Sequence, residues 1–155
     1  MPKNLLITGA TSGIGRALAR EMAGRGYALA LTARREAVLA ELQQELQGRH
    51  AGLRVVQRPL DVAASDTVAP TLEALAADLG GLDIVVANAG VGHGEKVGHG
   101  RFAQARETVA TNLLGAMATV DAAVVHLRSR GGGHVVGISS VAAFRGLPRS
   151  GSYSA

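Results

Sequence analysis

Three glycines, Gly9, Gly13 and Gly15, stand between an apolar run, Leu5-Leu6-Ile7, and a helical pattern that begins near Ile14. A buried strand that turns through glycine into a helix leaves free N–H groups at the helix N-terminus. Those groups favour an anion, above all a phosphate. The spacing is G-x-x-x-G-x-G, not the commoner G-x-G-x-x-G. Gly9 suits a tight turn, and Gly13 and Gly15 remove side chains where a pyrophosphate and a neighbouring strand would approach. Thr8, Thr11 and Ser12 add hydroxyl donors. A dinucleotide unit that takes NAD carries an acidic residue about 20 residues further on, where it holds the ribose hydroxyls. Here that region reads Thr32-Ala33-Arg34-Arg35. Arg34 there could hold a 2′-phosphate bidentately, so the physical reading is NADP(H) rather than NAD(H). The plainer reading is that Arg34 and Arg35 solvate the start of a helix, although a cation there costs about 0.3–1 kcal/mol. Glu36 could compete for the ribose.

Three more signals follow apolar runs: Asp61-Val62, Asn88-Ala89-Gly90 and Ser139-Ser140. Ligands of open α/β sheets bind beyond the carboxyl ends of the strands, and all three fall on that side. Taken singly, each could be turn or strand-end chemistry.

Strands must place these residues, and the pattern supplies five. They are expected at Asn4 to Thr8, Tyr27 to Ala33, Leu53 to Gln57 (closed by Pro59), Leu82 to Ala87 and His134 to Ser139. The first helix is expected from about Gly13 to Gly24, with Ile14, Leu18 and Met22 on one face and Gly26 at its end. The second runs from Arg35 to Gln47 on Val38, Leu39, Leu42 and Leu46, with Gly48 as its stop. Ser65 caps a third that reaches about Leu79, with Val68, Leu72, Leu75 and Leu79 inward and Gly80-Gly81 after it. A glycine-rich loop spans Gly90 to Gly100. Phe102 to Arg130 is one long helix, or two joined near Thr111, broken by Gly131-Gly132-Gly133. Ser140 to Ala155 reads as a loop. Strands alternating with helices imply right-handed crossovers and an α/β fold, a doubly wound parallel sheet with helices on both faces.

Composition narrows the function. At 155 residues, 47% of them apolar and 18% charged, the chain is expected to be one globular domain. Aromatics are 3%, so the core must come from Ala, Val, Leu and Ile. The net charge of +4 comes from scattered arginines without an aromatic stacking platform, which argues against nucleic acid and suits a phosphorylated cofactor. There is no cysteine, hence no disulfide or thiolate metal site, and a reducing cytoplasm is the expected setting. Met1-Pro2-Lys3 leads straight into a strand without a signal-peptide pattern, and no uninterrupted apolar run approaches the roughly 20 residues of a membrane span. His93 and His99 share the glycine-rich loop, but no further ligand completes a metal set at the usual spacing. His50, His126 and His134 read as surface or strand-edge residues.

Together the motifs resemble the short-chain dehydrogenase/reductases. Thr8 to Gly15 is similar to their TGxxxGxG cofactor motif, with Gly9, Thr11, Ser12, Gly13, Ile14 and Gly15 at the cofactor. Asp61-Val62 resembles their adenine-contacting pair. Ala87-Asn88-Ala89-Gly90 is similar to their NNAG motif, with Ala in place of the first Asn. Asn112 lies where their catalytic Asn does, and Ser140 and Tyr153 are 13 residues apart, like their Ser and Tyr. The resemblance covers the whole chain and implies a Rossmann-like NADP(H)-binding domain over 1–155. It also implies an oxidoreductase that interconverts a carbonyl and an alcohol on a small molecule, as a homo-oligomer. One element is out of register with this. The family's lysine, four residues after the Tyr, would be position 157, and the sequence ends at Ala155. The chain thus resembles the front part of such an enzyme.

The resemblance makes Tyr153 the acid/base, Ser140 the group that polarises the substrate oxygen, and Asn112 the holder of a water or of backbone geometry. A phenol ordinarily titrates near 10. An ammonium about 4 Å away is worth roughly 4 kcal/mol to the phenolate at an effective dielectric near 20, which is what the lysine contributes in the family. Two other readings remain: a dinucleotide-binding module without turnover, and a sugar-nucleotide epimerase or dehydratase of related fold.

Overall fold

The computed structural model describes residues 3–94 and 97–155. What was expected of Met1-Pro2, and of Glu95 and Lys96 in the glycine-rich loop, lies outside them. The strands are β1 (Asn4–Thr8), β2 (Ala28–Ala33), β3 (Val55–Pro59), β4 (Ile84–Ala87) and β5 (His134–Gly137). All pair in parallel, in the order β3-β2-β1-β4-β5. The chain winds outward from β1 to β3, then returns to the other side of β1 for β4 and β5. The strand order therefore reverses between β1 and β4, where a doubly wound sheet opens a crevice at its carboxyl edge.

Alternation along the strands divides the core in two. Leu5 and Ile7 of β1, Leu29 and Leu31 of β2 and Val86 of β4 face α1 (Gly13–Gly24) and α2 (Glu36–Arg49), meeting Leu39, Leu42 and Leu46. Leu6, Ala28, Ala30 and Val85 face α3 (Val68–Leu79) and α5 (Ala116–Ser129), meeting Leu72, Leu75, Ala122 and Ala123. Both faces of the sheet are thus covered by aliphatic side chains, in keeping with the scarcity of aromatic residues. Gly80 ends α3 with φ +81°, and the Gly81 N–H donates to Ala76 O at 2.7 Å, closing the last turn.

Several boundaries differ from the sequence reading. The large residues Ile14, Leu18 and Met22 do not form the buried face of α1. That face is Gly15, Ala19 and Ala23, and Ile14 is 62% exposed. Small residues let α1 approach the sheet closely, and the larger ones flank the contact. Gly48 does not stop α2, which continues to Arg49 and is capped by His50. Ser65 opens a 3-10 turn (Ser65–Thr67), and the α-helix proper starts at Val68 without a side-chain cap. β3 ends on Pro59, two residues beyond Gln57, because the Pro nitrogen needs no partner at a sheet edge. His126 is half-buried rather than on the surface. Its Nε2 accepts from the Leu82 N–H at 3.1 Å, and burial, helped by the Arg130 charge, lowers its pKa.

The stretch Phe102–Ser129 is one continuous helix of 28 residues. Its middle is a π-turn, Ala110–Gly115, between α4 (Phe102–Val109) and α5. By length and apolar composition this helix passes for a membrane span, with a mean hydropathy of 1.4 over its most apolar window. Here Thr119, Ala122, Ala123 and Leu127 are buried in the domain core.

α1 and α2 are joined by an ion cluster. Glu45 of α2 accepts from Arg20 Nε at 2.8 Å and Arg16 Nη2 at 3.2 Å, with Arg49 at 3.4 Å. The Arg20 hydrogen bonds, joined by Arg16 and by the charge of Arg49, outweigh partial burial and hold the Glu45 carboxyl at about 2. A folded-state pKa below the unfolded value stabilises the fold above the unfolded pKa, and that stabilisation fades as pH falls toward the folded one. Glu45→Gln is therefore expected to lower stability by about 1 kcal/mol above pH 4.5. The deficit should close between pH 4.5 and about 2. Urea unfolding across that range checks it, and a deficit independent of pH would mean the charge is not the cause.

Candidate functional site

The β1–α1 turn is built so that its second and third glycines serve different ends. A Cβ at Gly15 would lie 2.5 Å from Gly9 O and 2.5 Å from Asn88 Nδ2, so close backbone packing requires this glycine. A Cβ at Gly13 would meet nothing within 4 Å, but its φ is +52°, in the left-handed region. Gly13 therefore faces open space, at the first turn of α1. Ser12, the N-cap residue of α1, is extended and makes no side-chain cap, so no side chain takes the first N–H groups of the helix. A 12-residue helix with uncapped N–H groups beside an open glycine could hold a phosphate.

Thr8 locks this turn to the end of β4. Its buried Oγ1 accepts from the N–H of Asn88 and of Ala89, both at 3.0 Å, and donates to Val86 O at 3.4 Å. Asn88 Nδ2 returns the contact to Thr8 O at 2.9 Å and to Gly9 O at 3.4 Å. The Asn88 amide is thus engaged with the glycine turn, and Ala89 and Gly90 carry the chain past it. On the other side, the Ala10 N–H donates to Thr32 O at 3.0 Å. Arg35 Nη2 donates to Thr11 Oγ1 at 3.0 Å and Thr11 O at 3.3 Å, stapling the loop to the end of β2. Arg35 was not singled out from the sequence, where nothing distinguishes it from its neighbour.

A cleft of about 760 Å³ runs along this carboxyl edge. Every site residue expected from the sequence lines it except Gly15, which packs beneath. At one end are Thr11, Ser12, Gly13, Ile14 and Arg34. Asp61 and Val62 follow β3. Asp61 Oδ1 accepts from the Ala63 N–H at 3.1 Å, and Val62 is buried against Gly115, where a Cβ would come within 2.6 Å of its Cγ2. Gly115 closes the π-turn, so the close approach of that turn to the Asp61-Val62 loop depends on a glycine.

At the other end are Asn112, Ser140 and Tyr153. Asn112 sits in the π-turn and brackets one residue. Its Oδ1 accepts from the Val91 N–H and its Nδ2 donates to Val91 O, both at 2.8 Å. Ser140 follows β5, and its Oγ accepts from the Ala142 N–H at 3.2 Å. Tyr153 occupies a 3-10 turn (Ser152–Ser154) whose Ser154 N–H donates to Ser150 O at 2.8 Å. Its ring packs beside Gly92, whose ideal Cβ would be 3.4 Å from Tyr153 Cδ2. The Ser140 to Ala155 segment, expected as plain loop, thus carries two 3-10 turns that bring the Ser and Tyr to one cleft.

His93 pairs with a carboxylate of the long helix. Its Nε2 lies 2.9 Å from Glu107 Oε2, and Glu107 Oε1 lies 3.4 Å from Arg34 Nη1. Among the described residues no group of three or more His, Asp or Glu could hold a metal ion.

A parallel sheet with an uncapped helix start at its switch point, and Ser140 and Tyr153 across the same cleft, agrees with a comparison of families. A model described as short chain dehydrogenase matches residues 3–155. The chain belongs to the short-chain dehydrogenase family. Among the family's curated members, an uncharacterised oxidoreductase of Myxococcus xanthus is 42% identical over 153 residues, covering 99% of this chain and 60% of the relative. One of Mycobacterium tuberculosis is 39% identical over 146 residues, covering 94% and 58%. The chain thus spans about three-fifths of the length of these relatives. Solved structures agree in fold. Levodione reductase superposes with a TM-score of 0.92 at 27% identity, over 98% of this chain and 59% of that one. An alcohol dehydrogenase from Thermococcus sibiricus complexed with 5-hydroxy-NADP gives 0.89 at 36%, over 99% and 65%. NAD+-bound xylitol dehydrogenase gives 0.91 at 25%, over 98% and 58%. The chain is of an oxidoreductase family that binds a nicotinamide dinucleotide.

Proposed function

We propose that this chain is the cofactor-binding portion of an NADP(H)-dependent oxidoreductase that interconverts a carbonyl and an alcohol. The observation that carries the proposal is the single cleft joining the glycine turn and Arg34 at one end to Asn112, Ser140 and Tyr153 at the other. The open Gly13 and the uncapped start of α1 fit a pyrophosphate, and Asp61 and Val62 would flank the adenine. Arg34 would hold a 2′-phosphate. When bound, the dinucleotide supplies or accepts a hydride. Tyr153 Oη gives its proton to the carbonyl oxygen in reduction and takes it from the alcohol in the reverse direction. Ser140 Oγ–H donates a hydrogen bond to the same oxygen. Asn112 acts through the Val91 main chain, whose N–H and C=O it holds at the side of the cleft. The domain, residues 1–155 as one Rossmann-like unit, would operate in the cytoplasm. The exposed Leu113, Leu114, Met117 and Val125 of the long helix offer a face for a homo-oligomer in the complete enzyme.

One observation favours a second reading, dinucleotide binding without turnover. Among the described residues no lysine lines the cleft, and Lys3 lies at the opposite end of the sheet. Titration with NADPH and NADH, and NADPH oxidation against a panel of ketones, separate the two. The comparison is between this chain and one extended through a lysine at position 157. Oxidation only in the extended chain is the expected result, and failure of both to bind a dinucleotide would overturn the proposal.

Arg34→Asp is expected to weaken NADPH binding by at least tenfold and NADH binding by less than threefold, since a bidentate phosphate contact is replaced by a like charge. Equal losses for the two cofactors, measured by the enhancement of nicotinamide fluorescence, would remove Arg34 from the 2′-phosphate.

A further inference from the structure

The residue assigned to the 2′-phosphate already has an anionic partner. Arg34 follows β2, and Glu107 reaches it from α4 across 73 positions of sequence, with Nη1 and Oε1 at 3.4 Å. That distance is longer than the 2.7–2.9 Å of a strong charge-assisted hydrogen bond, so the pair is loosely held and open to exchange. The second carboxylate oxygen is the better anchored one, at 2.9 Å from His93 Nε2. His93 thus keeps the carboxylate beside the cleft whichever way the Arg34 guanidinium turns.

We propose that Glu107 is a specificity-determining residue that holds down the preference for a 2′-phosphate that Arg34 provides. The proposal rests on the NADP(H) reading above. A phosphate arriving at Arg34 must displace or share Glu107, and two anions beside one guanidinium repel each other. A ribose with a free 2′-hydroxyl brings no such charge, and its O–H can donate to the carboxylate. The same side chain therefore opposes NADPH and tolerates NADH. The repulsion is felt through exposed, salt-screened surroundings, so its expected size is a five- to tenfold effect on the ratio of affinities.

The test is titration of the chain with NADPH and with NADH at fixed ionic strength, followed by nicotinamide fluorescence. Glu107→Gln is expected to raise the NADPH-over-NADH affinity ratio about five- to tenfold. Glu107→Asp, which keeps the charge, should move it by less than about twofold. On an Arg34→Ser background, Glu107→Gln should also move it by less than about twofold, because the contest for the guanidinium is gone. NADH binding by each variant reports that it is folded. A ratio that stays constant or falls in Glu107→Gln overturns the proposal, because Glu107 would then be neutral or would be orienting Arg34 for the phosphate. If wild type favours NADPH and loses that preference in Arg34→Ser while Glu107→Gln changes nothing, the assignment of Glu107 alone falls. If wild type shows no preference that depends on Arg34, the NADP(H) reading falls and this proposal with it.

Discussion

Thr8→Val is expected to cost about 3 kcal/mol of stability, although the two side chains are nearly the same shape. Thr8 is 2% exposed, and its single oxygen accepts two N–H groups at the start of the Asn88-Ala89 segment. Valine leaves both donors without a partner at a site that water does not reach readily, and each orphaned donor costs about 1–3 kcal/mol. The loss should appear as a fall of about 6–12 °C in Tm for a domain of this size. Thr8→Ser, which keeps the hydroxyl, should recover most of it. A Val variant as stable as wild type would mean that the β1–β4 junction is held by packing alone. Because the same bonds place Asn88 against the glycine turn, the Val variant should also bind a dinucleotide less tightly than the Ser variant.

The second large effect is expected at Gly15. A Cβ there would be placed 2.5 Å from the Gly9 carbonyl oxygen and 2.5 Å from Asn88 Nδ2. The first obstacle is backbone, so the turn itself must open. Gly15→Ala is expected to destabilise by about 3 kcal/mol, at the upper end for overpacking, and to weaken dinucleotide binding by at least tenfold. Gly13→Ala makes the contrast. Its Cβ would meet no neighbour, and only the left-handed backbone penalises it, by about 1–2 kcal/mol. Yet that Cβ would occupy the space beside the helix N-terminus. The prediction is a dissociation of effects: Gly15→Ala loses mainly the fold and Gly13→Ala mainly the affinity. Denaturant midpoints and NADPH titration on both variants read the two quantities separately. Equal ratios of stability loss to affinity loss would contradict the division of labour between the glycines.

The contrast between these glycines also shows how far the sequence could be read. The bounds of β1 and α1 agree with the sequence reading, because an apolar run meeting glycine leaves a strand little choice about where to end. The parallel pairing and the two covered faces follow from alternating βα units, whereas the order β3-β2-β1-β4-β5 does not, since other doubly wound orders share that alternation. The buried face of α1 was not legible from large apolar residues, since Gly15, Ala19 and Ala23 are inward because they are small. Gly48 failed as a stop signal because glycine weakens a helix without forbidding it, and His50 lies one residue after the observed end. His126 looked like surface because its partner, the Leu82 N–H, is 44 positions away. Within the site, Asn88, Asn112, Ser140 and Tyr153 are named through the resemblance to a family, and the fold brings them to one cleft. The Arg34–Glu107–His93 chain could not be found in the sequence, since it joins three segments whose proximity exists only in the folded sheet.

The π-turn at Ala110–Gly115 has a consequence for how this helix can change over time. One extra residue per turn rotates everything after it by about 100° relative to a regular α-helix. Glu107 and Asn112 can therefore look toward the carboxyl edge while Thr119, Ala122 and Ala123 look into the domain core. The two halves of Phe102–Ser129 are out of phase by design of length rather than of composition. Loss of a single residue within the turn would restore an unbroken α-helix of better local geometry, with every side chain type still suited to it, and would swing one half away from its duty. In this segment the phase of the two halves is set by the number of residues as well as by their types, of which Gly115 and Asn112 are the ones the turn cannot exchange freely.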